Sequence, residues 1–238
     1  MTQPSTWPDG VFVLVPSYKA AGALSRLLPD LLSAAPASSV CIADDGSHDG
    51  TDTVCRDCGV LYVSNLVNRG KGAALATGFD YLVREKSASW IITMDADGQH
   101  AVADLPVFLN AIGRKPGAGI IIGRRDMRLS KMPVARICSN TLTSAILSML
   151  TGTKIHDSQC GYRAYSARLI SAAPCRFSRF EMESEIIMRT LHLGFPVSFA
   201  RVQTLYFSSP SHISHVADSL RWLRAVVSTF AELRRTAP

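Results

Sequence analysis

Trp90-Ile91-Ile92-Thr93-Met94 runs directly into Asp95-Ala96-Asp97-Gly98-Gln99-His100. A short apolar run followed by an acidic, glycine-containing turn reads as a buried strand that delivers polar side chains at its carboxyl end. The construction recurs along the chain. Val11–Val15 is a continuous apolar run stopped by Pro16, and Val40–Ala43 ends in Asp44-Asp45-Gly46-Ser47. Val60–Val63 is a third short run, and Gly119–Ile122 leads into Gly123-Arg124-Arg125. Between them lie helical patterns over Ala20–Leu32, Thr51–Cys58, Gly72–Val83 and Asp104–Ile112. Apolar strands alternating with helices predict an α/β fold with a mostly parallel sheet covered on both faces. Ligands of open α/β sheets bind outside the carboxyl ends of the strands. Asp44/Asp45, Asp95/Asp97 and Arg124/Arg125 all fall there. Each cluster alone also reads as turn chemistry or a helix cap; three along one edge point to a site.

Composition narrows the class. The 238 residues carry 25 Lys+Arg against 19 Asp+Glu, a net charge of +6, with 47% hydrophobic and 18% charged residues. That excludes a disordered, collagen-like or coiled-coil chain. A chain this long can bury roughly 70–75% of its unfolded surface. It has no apolar run of about 18 residues that would span a bilayer. Met1–Gly10 lacks the basic and apolar regions of a secretory signal, so a cytoplasmic location is expected. The six cysteines are then reduced thiols. Cys55 and Cys58 form a C-x-x-C without the second pair that zinc needs. The basic residues gather at Arg124–Arg128 and towards the C-terminus without the clustered aromatics of a nucleic-acid binder, so no nucleic-acid partner is expected.

Asp95 and Asp97 are one residue apart in a turn. Two carboxylates so spaced can face a hard divalent cation, which is usually held by one or two carboxylates plus substrate phosphates. Acid pairs in turns are also common for structural reasons. Gln99 and His100 can add a ligand or a phosphate contact, and Asp45 can accept hydrogen bonds from a ribose or base. Gly70-Lys71-Gly72 opens a helix, where small residues suit an anion or a close packing contact. It is neither a Walker A loop, since Gly72 follows Lys71, nor G-x-G-x-x-G, since Leu75 takes the last place.

These segments together resemble the family-two glycosyltransferases of GT-A fold, with a Rossmann-like N-terminal half, and most of all the polyprenyl-phosphate (dolichyl-phosphate) mannose and glucose synthases. The resemblance is carried by Val13-Leu14-Val15-Pro16-Ser17-Tyr18, Ala43-Asp44-Asp45-Gly46-Ser47 with Asp49-Gly50-Thr51, and Asn68-Arg69-Gly70-Lys71-Gly72. It continues through Asp95-Ala96-Asp97-Gly98-Gln99-His100, Ile122-Gly123-Arg124-Arg125 and Asp157-Ser158-Gln159-Cys160-Gly161-Tyr162-Arg163. Phe180-Glu181-Met182-Glu183 and Ser211-His212-Ile213 resemble later motifs of the group. The order is unbroken from about Val11 to Leu220.

The resemblance implies roles. Pro16, Tyr18, Asp45 and Lys71 line the nucleotide-sugar pocket, and Asp95 orients the site or contacts the nucleotide. Asp97 with Gln99 holds Mg²⁺ or Mn²⁺ on the diphosphate of a UDP- or GDP-linked donor. Arg124, Arg125 and Arg136 stand near an acceptor phosphate, and His212 lies in a Ser/Pro-rich loop of the acceptor side. Asp157 and Gln159 lie by the sugar, where the family places a general-base candidate. Where most relatives carry Asn-Glu after Tyr18, Lys19-Ala20 stands here. The implied organisation is one catalytic domain over 1–238: a nucleotide-binding half of about 10–125, an acceptor-binding half of about 126–217, and an amphipathic helix over about 218–236.

The implied reaction is an inverting, metal-dependent transfer of a hexose. A lipid phosphate acceptor such as polyprenyl phosphate already carries about −1.5 to −2 charge and scarcely needs a base, so arginines must offset the repulsion between two anions. A hydroxyl acceptor needs a base, and Asp157 is the candidate. A non-catalytic binding module is disfavoured by the intact Asp95, Asp97, Asp157 and Arg163. A sugar-1-phosphate nucleotidyltransferase is disfavoured by the absence of a Gly-rich loop at Pro16-Ser17-Tyr18-Lys19. Glu181, Glu183 and Glu185 open a helix and read either as acids favoured there by the macrodipole or as catalytic acids. Met132–Leu150 and Asp218–Arg235 are amphipathic. The second sets Leu220, Leu223, Val226, Val227, Phe230 and Leu233 beside Trp222 and several arginines. It reads either as a helix lying in the headgroup layer at the inner face of a membrane or as one packed on the core. A homo-oligomer is also compatible with the resemblance.

Overall fold

A computed structural model describes residues 7–126, 134–173, 175–203 and 215–235. Strand β1 (Val11–Ser17) leads to helix α1 (Ala21–Ala34), and β2 (Val40–Asp44) to the short α2 (Thr51–Asp57). Then come β3 (Leu61–Ser64), α3 (Lys71–Glu85), β4 (Trp90–Thr93), α4 (Leu105–Arg114) and β5 (Ile120–Arg124). The second half holds α5 (Val134–Thr151), β6 (Arg163–Ser166), α6 (Ala167–Ala172), α7 (Met182–His192), β7 (Val197–Arg201) and α8 (His215–Arg235).

The strands form a 7-stranded sheet of order β3-β2-β1-β4-β6-β5-β7. Strands β1, β2, β3 and β4 pair in parallel, as the apolar alternation predicts. β6 runs the other way between β4 and β5, with Thr93 and Ile122 both opposite Arg163. β6 and β7 are short and carry no pattern that stood out in the sequence. The reversal positions the site: because β6 is antiparallel, its incoming loop, 157–162, arrives at the edge where β1, β2, β4 and β5 end.

Burial explains why the strands read so clearly. β1, β2 and β4 are buried at every residue, so both faces carry apolar side chains, as covered parallel strands require. α1 buries Leu24, Leu27, Leu28 and Leu31 on one face. The six cysteines are unbridged.

α8 divides its apolar residues between two faces. Ala225, Val226 and Thr229 are buried, and the Trp222 indole donates to Ser184 Oγ at 2.9 Å. Glu232 pairs with Arg189 of α7 and with Arg176. Leu220, Leu223 and Val227 point outward, each about half exposed or more at 56%, 48% and 58%. α5 likewise leaves Val134, Leu142 and Met149 exposed. Among the described residues no helix is long and apolar enough to cross a membrane.

Candidate active site

The three polar clusters meet at one edge of the sheet. In the first turn, Asp44 is buried and accepts from Ser47 N at 2.7 Å and Ser47 Oγ at 2.6 Å. Asp45 is also buried, and its carboxylate accepts from Asn65 Nδ2 at 2.8 Å and from the backbone N–H groups of Arg69 and Gly70. It clamps the loop that opens α3, so its oxygens are already engaged with protein donors. Pro16 lies inside β1, paired in register with Ala43, while Tyr18 is exposed just beyond it with the Lys19 ammonium 5.4 Å from its ring.

Gly72 sits where a side chain cannot. A Cβ there would lie 2.7 Å from Ser178 C and Arg179 O. The glycine thus serves close packing, and Lys71 beside it turns inward. Its Nζ lies 2.6 Å from Asp95 Oδ1 and 2.8 Å from Glu183 Oε1. Burial opposes the Lys71 charge, yet the two carboxylates outweigh it and hold the ammonium protonated above its ordinary range. Burial likewise opposes ionisation of Asp95, but the Lys71 charge and hydrogen bond hold its carboxyl down at about 2. Both groups are therefore charged throughout the physiological range.

The rest of the D-x-D turn divides by environment. His100 is buried and stacked on Tyr162 with ring centroids 4.9 Å apart, and its Nδ1 accepts from Asp95 N at 3.0 Å. Burial holds its pKa below the ordinary value, so it acts as a neutral prop for the turn. Asp97 is exposed, and its Oδ1 accepts from Gln99 N at 2.9 Å. Among the described residues no three His, Cys, Asp or Glu side chains are grouped to hold a metal ion. Asp97 with Gln99 is thus a sparse donor set. It fits a hard cation that completes its shell with substrate oxygens and water rather than one caged by protein.

Of the arginines, Arg125 lies close enough to the turn for its charge to help keep Asp95 ionised. Asp157 is fully buried, and four donors fill its carboxylate. Arg125 N at 3.2 Å and Arg125 Nε at 2.8 Å reach Oδ2, and Arg125 Nη2 at 2.9 Å and Asn140 Nδ2 at 2.8 Å reach Oδ1. The fork-to-carboxylate pairing fixes the guanidinium plane. Arg124 is exposed at the end of β5, and Arg136 is half-buried on α5. Gln159 is exposed and donates to Ser139 Oγ and Thr143 Oγ1 of α5. His212 lies outside the described residues.

Asn140 and Glu183 are not among the site residues to which the sequence assigns a role. Asn140 completes the Asp157 shell from α5; an isolated Asn in an amphipathic helix gives no signal of that. Glu183 stands inside a family-like segment, where an acid at a helix start looks structural, and Arg163 counts in the sequence against a non-catalytic module without a role of its own in the site. Gly161 is the close approach between these parts: a Cβ there would lie 2.9 Å from both Lys71 Nζ and Asp95 Oδ2. Both are ends of side chains and can shift, so Gly161→Ala is expected to fold with a melting temperature near wild type. Displacing the ion pair should lower turnover about tenfold or more, since small misplacements near reacting groups are costly. Paired melting and steady-state measurements check this; unchanged turnover would detach the Lys71–Asp95 pair from the reaction.

The chain matches the family model of glycosyl transferase family 2 over residues 12–173. It is 30% identical over 195 residues to undecaprenyl-phosphate mannosyltransferase of Micrococcus luteus, covering 77% of this chain and 79% of that protein. It is 29% identical over 199 residues to polyprenol monophosphomannose synthase of Mycolicibacterium smegmatis, covering 78% and 73%. Among solved structures it resembles Mycobacterium tuberculosis glucosyl-3-phosphoglycerate synthase, with a TM-score of 0.70 at 16% identity over 93% of this chain and 80% of that one. The same enzyme in complex with Mn²⁺, UDP and glucosyl-3-phosphoglycerate gives 0.67 at 15% identity, with the same coverage of both chains. The family match takes in the D-x-D turn and the sheet edge around it, and the structural likeness extends over nearly the whole chain: this protein belongs to glycosyl transferase family 2 and is a glycosyltransferase of GT-A fold.

Proposed function

We propose that the enzyme transfers a hexose from a UDP- or GDP-linked donor to the phosphate of a polyprenyl phosphate, with inversion at the anomeric carbon. The observation that carries the acceptor class is the saturated Asp157 carboxylate. With four donors on its two oxygens, it has no lone pair left to take a proton and instead holds Arg125 in place. A guanidinium fixed in this way suits an anionic acceptor, and a phosphate needs no base. One relative is named an undecaprenyl-phosphate mannosyltransferase and another a polyprenol monophosphomannose synthase, which supports the same reading.

On the donor side, Pro16 and Tyr18 flank the nucleotide, while Asp45 shapes the pocket through the Arg69–Gly70 loop instead of touching the base. Asp95, charged and fixed by Lys71, orients the sugar end. Asp97 and Gln99 would hold Mg²⁺ or Mn²⁺. When bound, such a cation offsets the charge that builds on the departing nucleoside diphosphate. Arg125, with Arg124 and Arg136 near it in the chain, draws the acceptor phosphate towards the anomeric carbon from the opposite side. The test is a panel of UDP- and GDP-hexoses with undecaprenyl phosphate and Mn²⁺ or Mg²⁺. Nucleoside diphosphate release that depends on the lipid phosphate is expected; pyrophosphate release, or none with any donor, would defeat the proposal.

A lipid-linked acceptor places the enzyme against a membrane surface. The outward Leu220, Leu223 and Val227 stripe of α8, with the exposed Arg224, Arg234 and Arg235, suits the headgroup layer with the helix lying flat. Each basic residue near an anionic leaflet contributes about 1 kcal/mol at most. Because the opposite face of α8 is core, replacing all three outward residues with Ser should leave the fold intact and abolish sedimentation with anionic vesicles at low salt. Binding that survives this triple substitution would remove α8 from the membrane contact.

A further inference from the structure

Four charged side chains from four segments form one alternating series beneath the site. Asp95 follows β4, Lys71 opens α3, Glu183 lies in the first turn of α7, and Arg163 opens β6. Lys71 Nζ is 2.6 Å from Asp95 Oδ1 and 2.8 Å from Glu183 Oε1, and Arg163 Nη2 is 3.6 Å from Glu183 Oε2. Two cations and two anions cancel, and each inner charge lies between two of opposite sign. Arg163 is fully buried; it bonds the Tyr165 side chain and three backbone oxygens. Nε reaches Cys160 at 2.6 Å, Nη1 reaches Glu183 at 2.7 Å, and Nη2 reaches Ser158 at 2.8 Å. That end of the series is therefore anchored, and Lys71 and Asp95 form the end nearest the D-x-D turn.

We infer that Glu183 is a positioning residue for the donor site, acting through Lys71. It has two effects. It holds the Lys71 ammonium against Asp95, which fixes the carboxylate at the turn. It also cancels the Lys71 charge, so that the ammonium does not bind the leaving nucleoside diphosphate too tightly for release. The inference rests on the nucleotide-sugar reading of the site.

Glu183→Gln keeps the shape and an acceptor oxygen but removes the charge. Lys71 is then left with Asp95 alone, and a surplus positive charge stands near the diphosphate. Turnover should fall about tenfold, while UDP or GDP, titrated calorimetrically with Mn²⁺, should bind about fivefold more tightly. A merely structural glutamate would lower stability without dividing the constants in this way. The decisive comparison is a double-mutant cycle with Lys71→Met, since residues acting through one partner are not additive. Glu183→Gln is expected to change neither turnover nor nucleotide affinity further in the Lys71→Met background. The same loss in both backgrounds, or full turnover in the single variant, would overturn the inference. If Glu183→Gln does not fold, Glu183→Asp keeps the charge but shortens the reach, and its turnover loss must likewise vanish in the Lys71→Met background. Failure of the wild type to bind either nucleotide would sink the donor reading instead. The cycle in melting temperature of the apo protein then tests the ion series, with non-additive shifts expected and additive ones contradicting it.

Discussion

Asp157→Asn is expected to lose about 3 kcal/mol of stability and about 10²-fold in turnover, without changing the shape of the pH profile. The stability loss follows from the shell around the carboxylate. Asp157 is fully buried, and its oxygens accept three bonds from Arg125 and one from Asn140. An amide offers one oxygen and one N–H₂ group, so whichever way it turns, the N–H₂ faces two donors. The Arg125 guanidinium, only 14% exposed, then lacks its counter-charge. Breaking a buried ion pair costs about 3–5 kcal/mol, and the expected loss of about 3 kcal/mol is, for a chain of this size, roughly a 6–12 °C fall in melting temperature. The turnover loss follows because Arg125 no longer has a fixed plane to present to the acceptor. The pH profile separates the two roles open to Asp157. If it only positions Arg125, the acid limb belongs to the acceptor phosphate, whose second ionisation is near pH 6. The rate then rises with pH through that value in wild type and variant alike. If Asp157 is the base, the variant's residual rate loses its acid limb. Arg125→Ala is expected to raise the acceptor KM with little change in donor affinity.

The second large effect concerns the cation. Asp97→Asn should fold like wild type, because Asp97 is exposed and accepts a local bond from Gln99 N. Turnover should nevertheless drop about 10²- to 10³-fold, the usual magnitude for removing a group that stabilises charge in the transition state. Chelation of wild type by EDTA should reproduce that loss, and EDTA should have no further effect on the variant. Asp95→Asn makes the contrast. It breaks the ion pair with Lys71 and should disturb stability as well as turnover. Full activity of Asp97→Asn in EDTA would remove the cation from the account.

The parallel half of the sheet was legible because its strands are buried on both faces, leaving unbroken apolar runs such as Val11–Val15 with polar clusters at their ends. β6 and β7 were not legible. Arg163-Ala164-Tyr165-Ser166 has a charged first residue and only two bulky members, and its place in the sheet depends on pairing with β4 and β5, which are distant in the chain. The D-x-D turn and the arginine pair stood out because their chemistry is concentrated in a few consecutive residues. What joins them was hidden. Lys71 read as a phosphate contact from its place at a helix N-terminus, but it lies between two carboxylates that arrive from β4 and α7. Asp157 read as a base candidate from its segment alone, and only the approach of Arg125 and Asn140 shows the carboxylate filled. Asp45 read as a base or ribose contact, whereas its carboxylate faces the Arg69–Gly70 backbone. For α8 the hydrophobic stripe was visible, but its division into an inner face and an outer one depends on where α7 lies.

The most direct test of a phosphate-directed transferase is acceptor choice at equal chain length. Undecaprenyl phosphate and undecaprenol, each presented in the same vesicles with the best donor and Mn²⁺, should differ almost completely, with sugar transferred to the phosphate and none above background to the alcohol. Equal or faster transfer to the alcohol, lost in Asp157→Asn together with its acid limb, would contradict the account and make Asp157 the base.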